Sequence, residues 1–212
     1  MTDEPANTSS KKTPKPGTAR AAFSYPDFRI MWTSNFLSNI GTWMQNVLLP
    51  AYVYDRTKSA SAVGIFVFAQ LGPLLLLSVP AGVMADRFDR RKWLIFSQII
   101  QMTGSVALGI FAIAHSPIWA LFLGQLTVGI GNAFNAPAFS AVLPSLVRPE
   151  DLGGSISLNS ASINGSRVTG PILVAIMVSW GVTTGQVFIF NAATYLFVTW
   201  AVLRLSLIHI SE

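Results

Sequence analysis

Residues 82–92 read Gly82-Val-Met-Ala-Asp86-Arg87-Phe-Asp89-Arg90-Arg91-Lys92. The segments on either side, 62–84 and 93–114, contain no charged side chain. Each is close to the ~20 residues that cross about 30 Å of hydrocarbon as a helix. The charges of the stretch therefore fall between two membrane spans. Within it, a glycine is followed four residues later by an acid and a base, and then by a basic cluster. Gly82 would let another helix pack closely. Asp86 would pair with a base or sit at the positive end of a neighbouring helix. Arg90, Arg91 and Lys92 would hold the turn in the cytoplasm. An ordinary positive-inside loop explains the cluster, but not the Gly-x-x-x-Asp-Arg spacing.

Working outward, the same pattern recurs. Of the 212 residues 51% are hydrophobic and 11% charged, against roughly 25% charged in average globular chains. Six apolar segments predict six transmembrane helices, at roughly 30–54, 62–84, 93–114, 118–143, 153–179 and 186–203. The links are short, which predicts that each helix packs antiparallel beside its predecessor. Lys11, Lys12, Lys15, Arg20, Arg29, Arg87, Arg90, Arg91, Lys92, Arg148 and Arg204 fall on one side of these spans, and only Arg56 and Lys58 on the other. That asymmetry places the amino terminus in the cytoplasm. Pro50, Pro73, Pro80, Pro137 and Pro171 lie inside the segments. A membrane bundle tolerates such breaks, either as packing kinks or as shapers of a cavity.

The charge of +5 flanks apolar stretches, so it indicates a lipid bilayer as partner and not nucleic acid. Residues 1–22 are polar and rich in Pro, Thr, Ser and Lys, which predicts a disordered cytoplasmic tail, and they lack the apolar core of a signal peptide. The absence of cysteine excludes disulfides and thiolate metal sites. His115 falls at a helix junction and His209 in the tail, so no metal or other cofactor is expected.

Polar residues inside the spans mark candidate sites. Asn35, Ser38, Asn39, Thr42, Gln45 and Asn46 recur at spacings of three and four in the first segment and share a face. Such amides are too costly to face lipid. They line a solvated substrate cavity or bond to other helices. The fourth segment adds Gln125, Asn132 and Asn135 among Gly124, Gly129 and Gly131. The fifth aligns Ser160, Asn164 and Arg167. Arg167, about 21 Å along a helix starting at Gly153, is the one ionisable side chain at membrane depth. No Asp or Glu lies within the six segments. Arg167 would therefore attract an anionic group, pair with a carboxylate outside this chain, or reach the outer interface by snorkelling.

The 82–92 stretch resembles the Gly-x-x-x-Asp-Arg/Lys-x-Gly-Arg-Arg/Lys signature of the major facilitator superfamily. The match falls on Gly82, Asp86, Arg87, Arg90 and Arg91, with Asp89 at a usual glycine. The resemblance implies a cytoplasmic gating loop that latches two six-helix halves together. Residues 125–133, Gln-Leu-Thr-Val-Gly-Ile-Gly-Asn-Ala, are similar to a second motif of that family, Arg-x-x-x-Gly-x-Gly-x-Ala. Gln125 stands at the arginine often linked to proton coupling. Gly170-Pro171 is similar to the end of the antiporter motif. The run Gly131-Asn-Ala-Phe-Asn-Ala-Pro-Ala-Phe-Ser-Ala-Val-Leu-Pro-Ser-Leu-Val-Arg-Pro-Glu-Asp-Leu152 resembles the branch that includes enterobactin exporters and macrolide-efflux proteins.

The resemblance spans about residues 23 to 204. It implies an all-α membrane protein: the amino-terminal six-helix half of a twelve-helix fold in the bacterial inner membrane. The expected function is ion-gradient-driven efflux of a drug-like or siderophore-like small molecule, with a proton as coupling ion and a missing carboxy-terminal half as partner. Residues 205–212 do not continue the family pattern and resemble a translated sequencing adaptor, so the native sequence is expected to end near Arg204. Two other six-helix classes stand as alternatives. An intramembrane serine protease needs a nucleophile and a base within reach, and the nucleophile motif Gly-x-Ser-x-Gly does not occur here. A pump's membrane domain would extend long cytoplasmic helices, and no phosphate-binding Gly-rich loop occurs either.

Overall fold

The structure, a computed structural model, describes residues 15–208, except for the side chains of Asp86 and of residues 205–208. Most of the expected tail, His209 and the end of the expected adaptor-derived segment thus lie outside the described residues. Seven α-helices follow in order: α1 (Ala19–Ala22), α2 (Pro26–Thr57), α3 (Ala60–Arg87), α4 (Arg90–Ile113), α5 (Ile118–Val142), α6 (Leu152–Ser179) and α7 (Thr184–Ile208). Two 3₁₀ turns join α5 to α6, and no strand occurs among the described residues.

Local chemistry sets the helix ends. Pro26 opens α2, where its missing N–H costs nothing. Lys58 closes α2 in the left-handed region (φ 50°), and Ser59 caps α3 by accepting from the Ala62 N–H. Thr183 and Gln186 cap α7 reciprocally, each side chain accepting from the other's backbone N–H. The turns are tighter than the charge pattern predicts. Only Lys58 and Ser59 separate α2 from α3, and only Phe88 and Asp89 separate α3 from α4. Charged residues leave the bilayer without leaving the helix.

Helix order around the bundle differs from the expectation of sequential neighbours. Of the consecutive spans only α4 and α5 pack extensively. The main contacts run α3–α5–α4–α7–α2–α6, and α2 barely touches α3. Exchanging α2, α3 and α4 for α5, α6 and α7 maps this pattern onto itself, as for a repeated three-helix unit. Glycines set the close crossings. A Cβ on Gly129 would overlap the Ala69 carbonyl oxygen of α3. On Gly131 it would lie 2.9 Å from the Gln101 nitrogen of α4, and on Gly185 2.8 Å from the Gly109 oxygen.

The core is layered. One apolar cluster, with Phe28, Met31, Leu94, Leu143 and Val198, fills the Arg-rich end. Another, with Leu49, Leu108, Leu121 and Phe188, fills the opposite end. Outside, Leu75, Leu76 and Val79 of α3 are more than 70% exposed, a surface that water would not tolerate but lipid does. Five helices, α3 to α7, are long and apolar enough to cross a membrane. The 32-residue α2 is long enough, but its amides keep it out of that set.

Part of the expected tail is packed. Ala21 and Ala22 of α1 are buried. The buried Asp151 carboxylate accepts from the Gly17 N–H (2.7 Å) and the Tyr25 hydroxyl (2.7 Å). Gly154 meets Thr18 so closely that no Cβ fits. The disordered-tail expectation therefore fails from Gly17 onward, because this segment straps onto the start of α6.

Candidate functional site

Beside the middle of α2 and α6 and the carboxy-terminal half of α5, these three helices line a polar cavity of about 330 Å³. From α2 it takes Asn35, Asn39, Thr42 and Asn46, and from α5 Asn132 and Asn135. From α6 it takes Arg167. The structure thus brings together seven of the residues that spacing marked out. It adds Trp43, Phe139, Ser140, Asn159 and Ile163. A larger cavity of about 610 Å³ lies at the Arg-rich end, walled by Arg90, Lys92, Val142 and Val202 among others. We take the smaller one as the site because it combines convergent amides with a cation inside the membrane span.

Three expected cavity residues lie elsewhere. Asn164 is exposed and donates to the Ser160 carbonyl of its own helix at 2.9 Å. The face of α6 toward the cavity is Asn159, Ile163 and Arg167, a strict i, i+4, i+8 row, one position away from Ser160 and Asn164. Gln45 and Gln125 are fully buried and face the bundle interior. Gln45 Nε2 donates to Gln125 Oε1 at 3.2 Å, and Gln45 Oε1 accepts from Ser105 Oγ at 2.9 Å and Asn191 Nδ2 at 2.8 Å. Asn191 continues to the Tyr195 hydroxyl, which bonds Thr42. The amide stripe thus divides between a pocket wall and interhelical hydrogen bonds. Asn35, Asn39, Thr42 and Asn46 face the cavity, while Ser38 and Gln45 are buried in the bundle.

The wall is held from behind. Asn135 Oδ1 accepts from Gln98 Nε2 at 2.9 Å, which leaves the Asn135 amide N–H groups for the cavity. The Arg167 guanidinium lies over the Trp43 ring, 5.2 Å from its centroid. Gly170 makes this possible, because a Cβ there would lie 2.7 Å from Trp43 Cβ. Asn159 Oδ1 is buried without a hydrogen-bond partner among the described residues.

The signature turn is built differently from a loop. Gly82, Asp86 and Arg87 lie in the last turns of α3, and Arg90 and Arg91 begin α4. The Asp86 side chain is outside the described residues. Gly82 has nothing within 4 Å of where a Cβ would point, so no described helix uses its flat surface. Asp89, at the usual glycine, caps α4 by accepting from the Arg91 N–H (3.0 Å) and the Lys92 N–H (2.9 Å). The Lys92 N–H foremost holds its carboxyl below the ordinary range. Arg90 donates to the Ala141 carbonyl of α5 at 3.2 Å, fixing the turn to its neighbour.

Apolar helices around a polar cavity, with this turn at one end, define a multi-pass membrane protein of the major facilitator type. Within that superfamily the chain belongs to the transmembrane secretion effector family, whose model matches residues 17–209. It is 28% identical over 153 residues to the staphyloferrin A transporter of Staphylococcus aureus, a match covering 71% of this chain and 38% of that protein. It is 28% identical over 159 residues to macrolide efflux protein A of Streptococcus pyogenes, covering 72% and 38%. It is 25% identical over 159 residues to the enterobactin exporter of Salmonella typhimurium, covering 74% and 38%. The chain thus spans less than two fifths of the length of these relatives.

Proposed function

We propose that the chain forms one half of a secondary efflux transporter of the bacterial inner membrane, with its amino terminus in the cytoplasm. The observation that carries this is the polar cavity walled by the middle of α2 and α6 and the carboxy-terminal half of α5. In this reading α2 is the sixth span, and its amides are tolerated because they face a solvated pathway. A second six-helix half closes the open side, and rocking of the two halves about a midplane substrate alternates access. An ion gradient, most simply of protons, drives the cycle. The acid that carries the proton belongs to the other half, since no Asp or Glu lies at membrane depth here. The open surface at Gly82 and the rigid turn behind it suit a latch onto that half.

The experiment is accumulation of labelled small molecules in an efflux-deficient bacterium expressing the full-length gene. Asp86→Asn is expected to impair export at least severalfold at an unchanged level of inserted protein. Export at the wild-type rate would contradict the latch.

A further inference from the structure

The larger cavity, about 610 Å³, lies where three membrane spans end. The α4 span begins at Arg90, the α5 span ends at Leu146 and the α7 span ends at Arg204. Its polar and apolar residues are sorted by depth. Asp89, Arg90, Arg91 and Lys92 form a rim. Ile95, one turn further into α4, joins Val142, Val202 and Leu203 in an apolar wall. Among the described lining residues three cations outnumber one carboxylate. Asp89 Oδ1 already accepts from the Arg91 and Lys92 N–H groups. The start of α4 is thereby satisfied, so an anion at the rim would be held by side chains and not by the helix end. Arg90 is fixed by one bond, from Nη1 to the Ala141 carbonyl at 3.2 Å, which leaves further donors of its five-donor fork. Lys92 is exposed, and no acid pairs with it among the described residues. Beyond the wall, Arg204 lies over the exposed Trp200 ring, 5.4 Å from its centroid. Aromatic rings beside basic residues mark the boundary between hydrocarbon and headgroups.

We propose that this groove binds an anionic phospholipid, its phosphate on Arg90 and Lys92 and an acyl chain against Ile95, Val202 and Leu203. A water-soluble anion would use the rim and leave the wall wet. A phospholipid uses both, since basic pockets between helix ends hold its headgroup and apolar side chains its tail. The groove and the polar cavity share α5 alone, because α4 and α7 contribute nothing to the latter. A lipid held here stands beside the 82–92 turn and ties it to α5 and α7. The inference needs the membrane setting and not the export reading.

The test titrates the full-length transporter, purified in detergent, with phosphatidylglycerol, phosphatidylethanolamine or inorganic phosphate. Bound lipid is counted by native mass spectrometry, and thermal unfolding is followed in parallel. Phosphatidylglycerol should bind tighter than phosphatidylethanolamine and raise the unfolding midpoint, and inorganic phosphate should not raise it. Lys92→Gln, which removes no described contact, should weaken phosphatidylglycerol about fivefold, and Arg90→Gln with Lys92→Gln about thirtyfold. Leu203→Gln should weaken it with the charges intact. Asp89→Ser keeps a capping side chain and removes the carboxylate, so it should tighten binding, a gain that a misfolded variant could not give. Arg56→Gln with Lys58→Gln makes the same change of net charge at the opposite end and should leave the affinity unchanged. Equal affinity for phosphatidylethanolamine would overturn the proposal. So would stabilisation by inorganic phosphate alone, or an equal loss in the Arg56 and Lys58 pair. No transport is measured, so any of these results leaves the export reading standing.

Discussion

Asp89 caps α4 at the position where relatives of this turn usually carry glycine. Its carboxylate satisfies two backbone N–H groups that the first turn of a helix leaves without partners. Asp89→Ala should lower stability by about 1 kcal/mol, the usual cost of a lost cap, read as thermal unfolding in detergent. The pH dependence follows from the direction of the shift. A carboxyl held below its ordinary value of 3.8 contributes stability fully above that value, and loses it as pH falls through the depressed one. The difference between Asp89→Ala and wild type should therefore be constant at neutral pH and shrink below about pH 4; a difference that peaks in acid would contradict the cap. Other single positions were less legible. Arg167 stood out as the lone charge at membrane depth. Asn159 did not, because the 160/164/167 and 159/163/167 rows both satisfy helical spacing, and one position of rotation decides between them.

The six long helices were readable from apolar length and charge, and five of them, α3 to α7, are long and apolar enough to cross a membrane. Their packing order was not. Short links limit where a helix can go, but close approach of backbones decides where it settles, and α5 settles between α3 and α4 through Gly129, Gly131 and Gly124. The amide stripe of α2 likewise announced polar surroundings without separating cavity from interior. That division depends on Asn191 and Tyr195 of α7, which reach Gln45 and Thr42 across long sequence separation. Two glycines test the packing account against each other. Gly129→Ala pushes a methyl group into the Ala69 carbonyl and should destabilise by about 1–3 kcal/mol, the range for overpacking a tight contact. Gly82→Ala meets nothing within 4 Å and should leave unfolding unchanged while slowing export, since the proposed partner half lies there. Equal stability of the two variants would show that the α3–α5 crossing does not depend on Gly129.

For the bundle as a whole, the two apolar clusters with a polar layer between them give a rigid support. The cavity opens on the α2, α5 and α6 side, and none of its lining comes from α4 or α7. The amino-terminal strap on Asp151 ties α1 to the start of α6, so the helix that carries Arg167 is anchored at its Arg-rich end. The central claim is that the α2–α5–α6 wall is wet at membrane depth while the apolar outer face of α3 is dry. The 212 residues contain no cysteine, which makes this directly measurable. Single cysteines at Asn39, Asn132, Phe68 and Leu75 would be introduced into the full-length transporter in a cysteine-free background and exposed to a water-soluble, membrane-impermeant maleimide. The account predicts that Asn39→Cys and Asn132→Cys are labelled, and are protected by a transported substrate, while Phe68→Cys and Leu75→Cys stay unlabelled. Labelling of Leu75→Cys with Asn39→Cys and Asn132→Cys inert would contradict it.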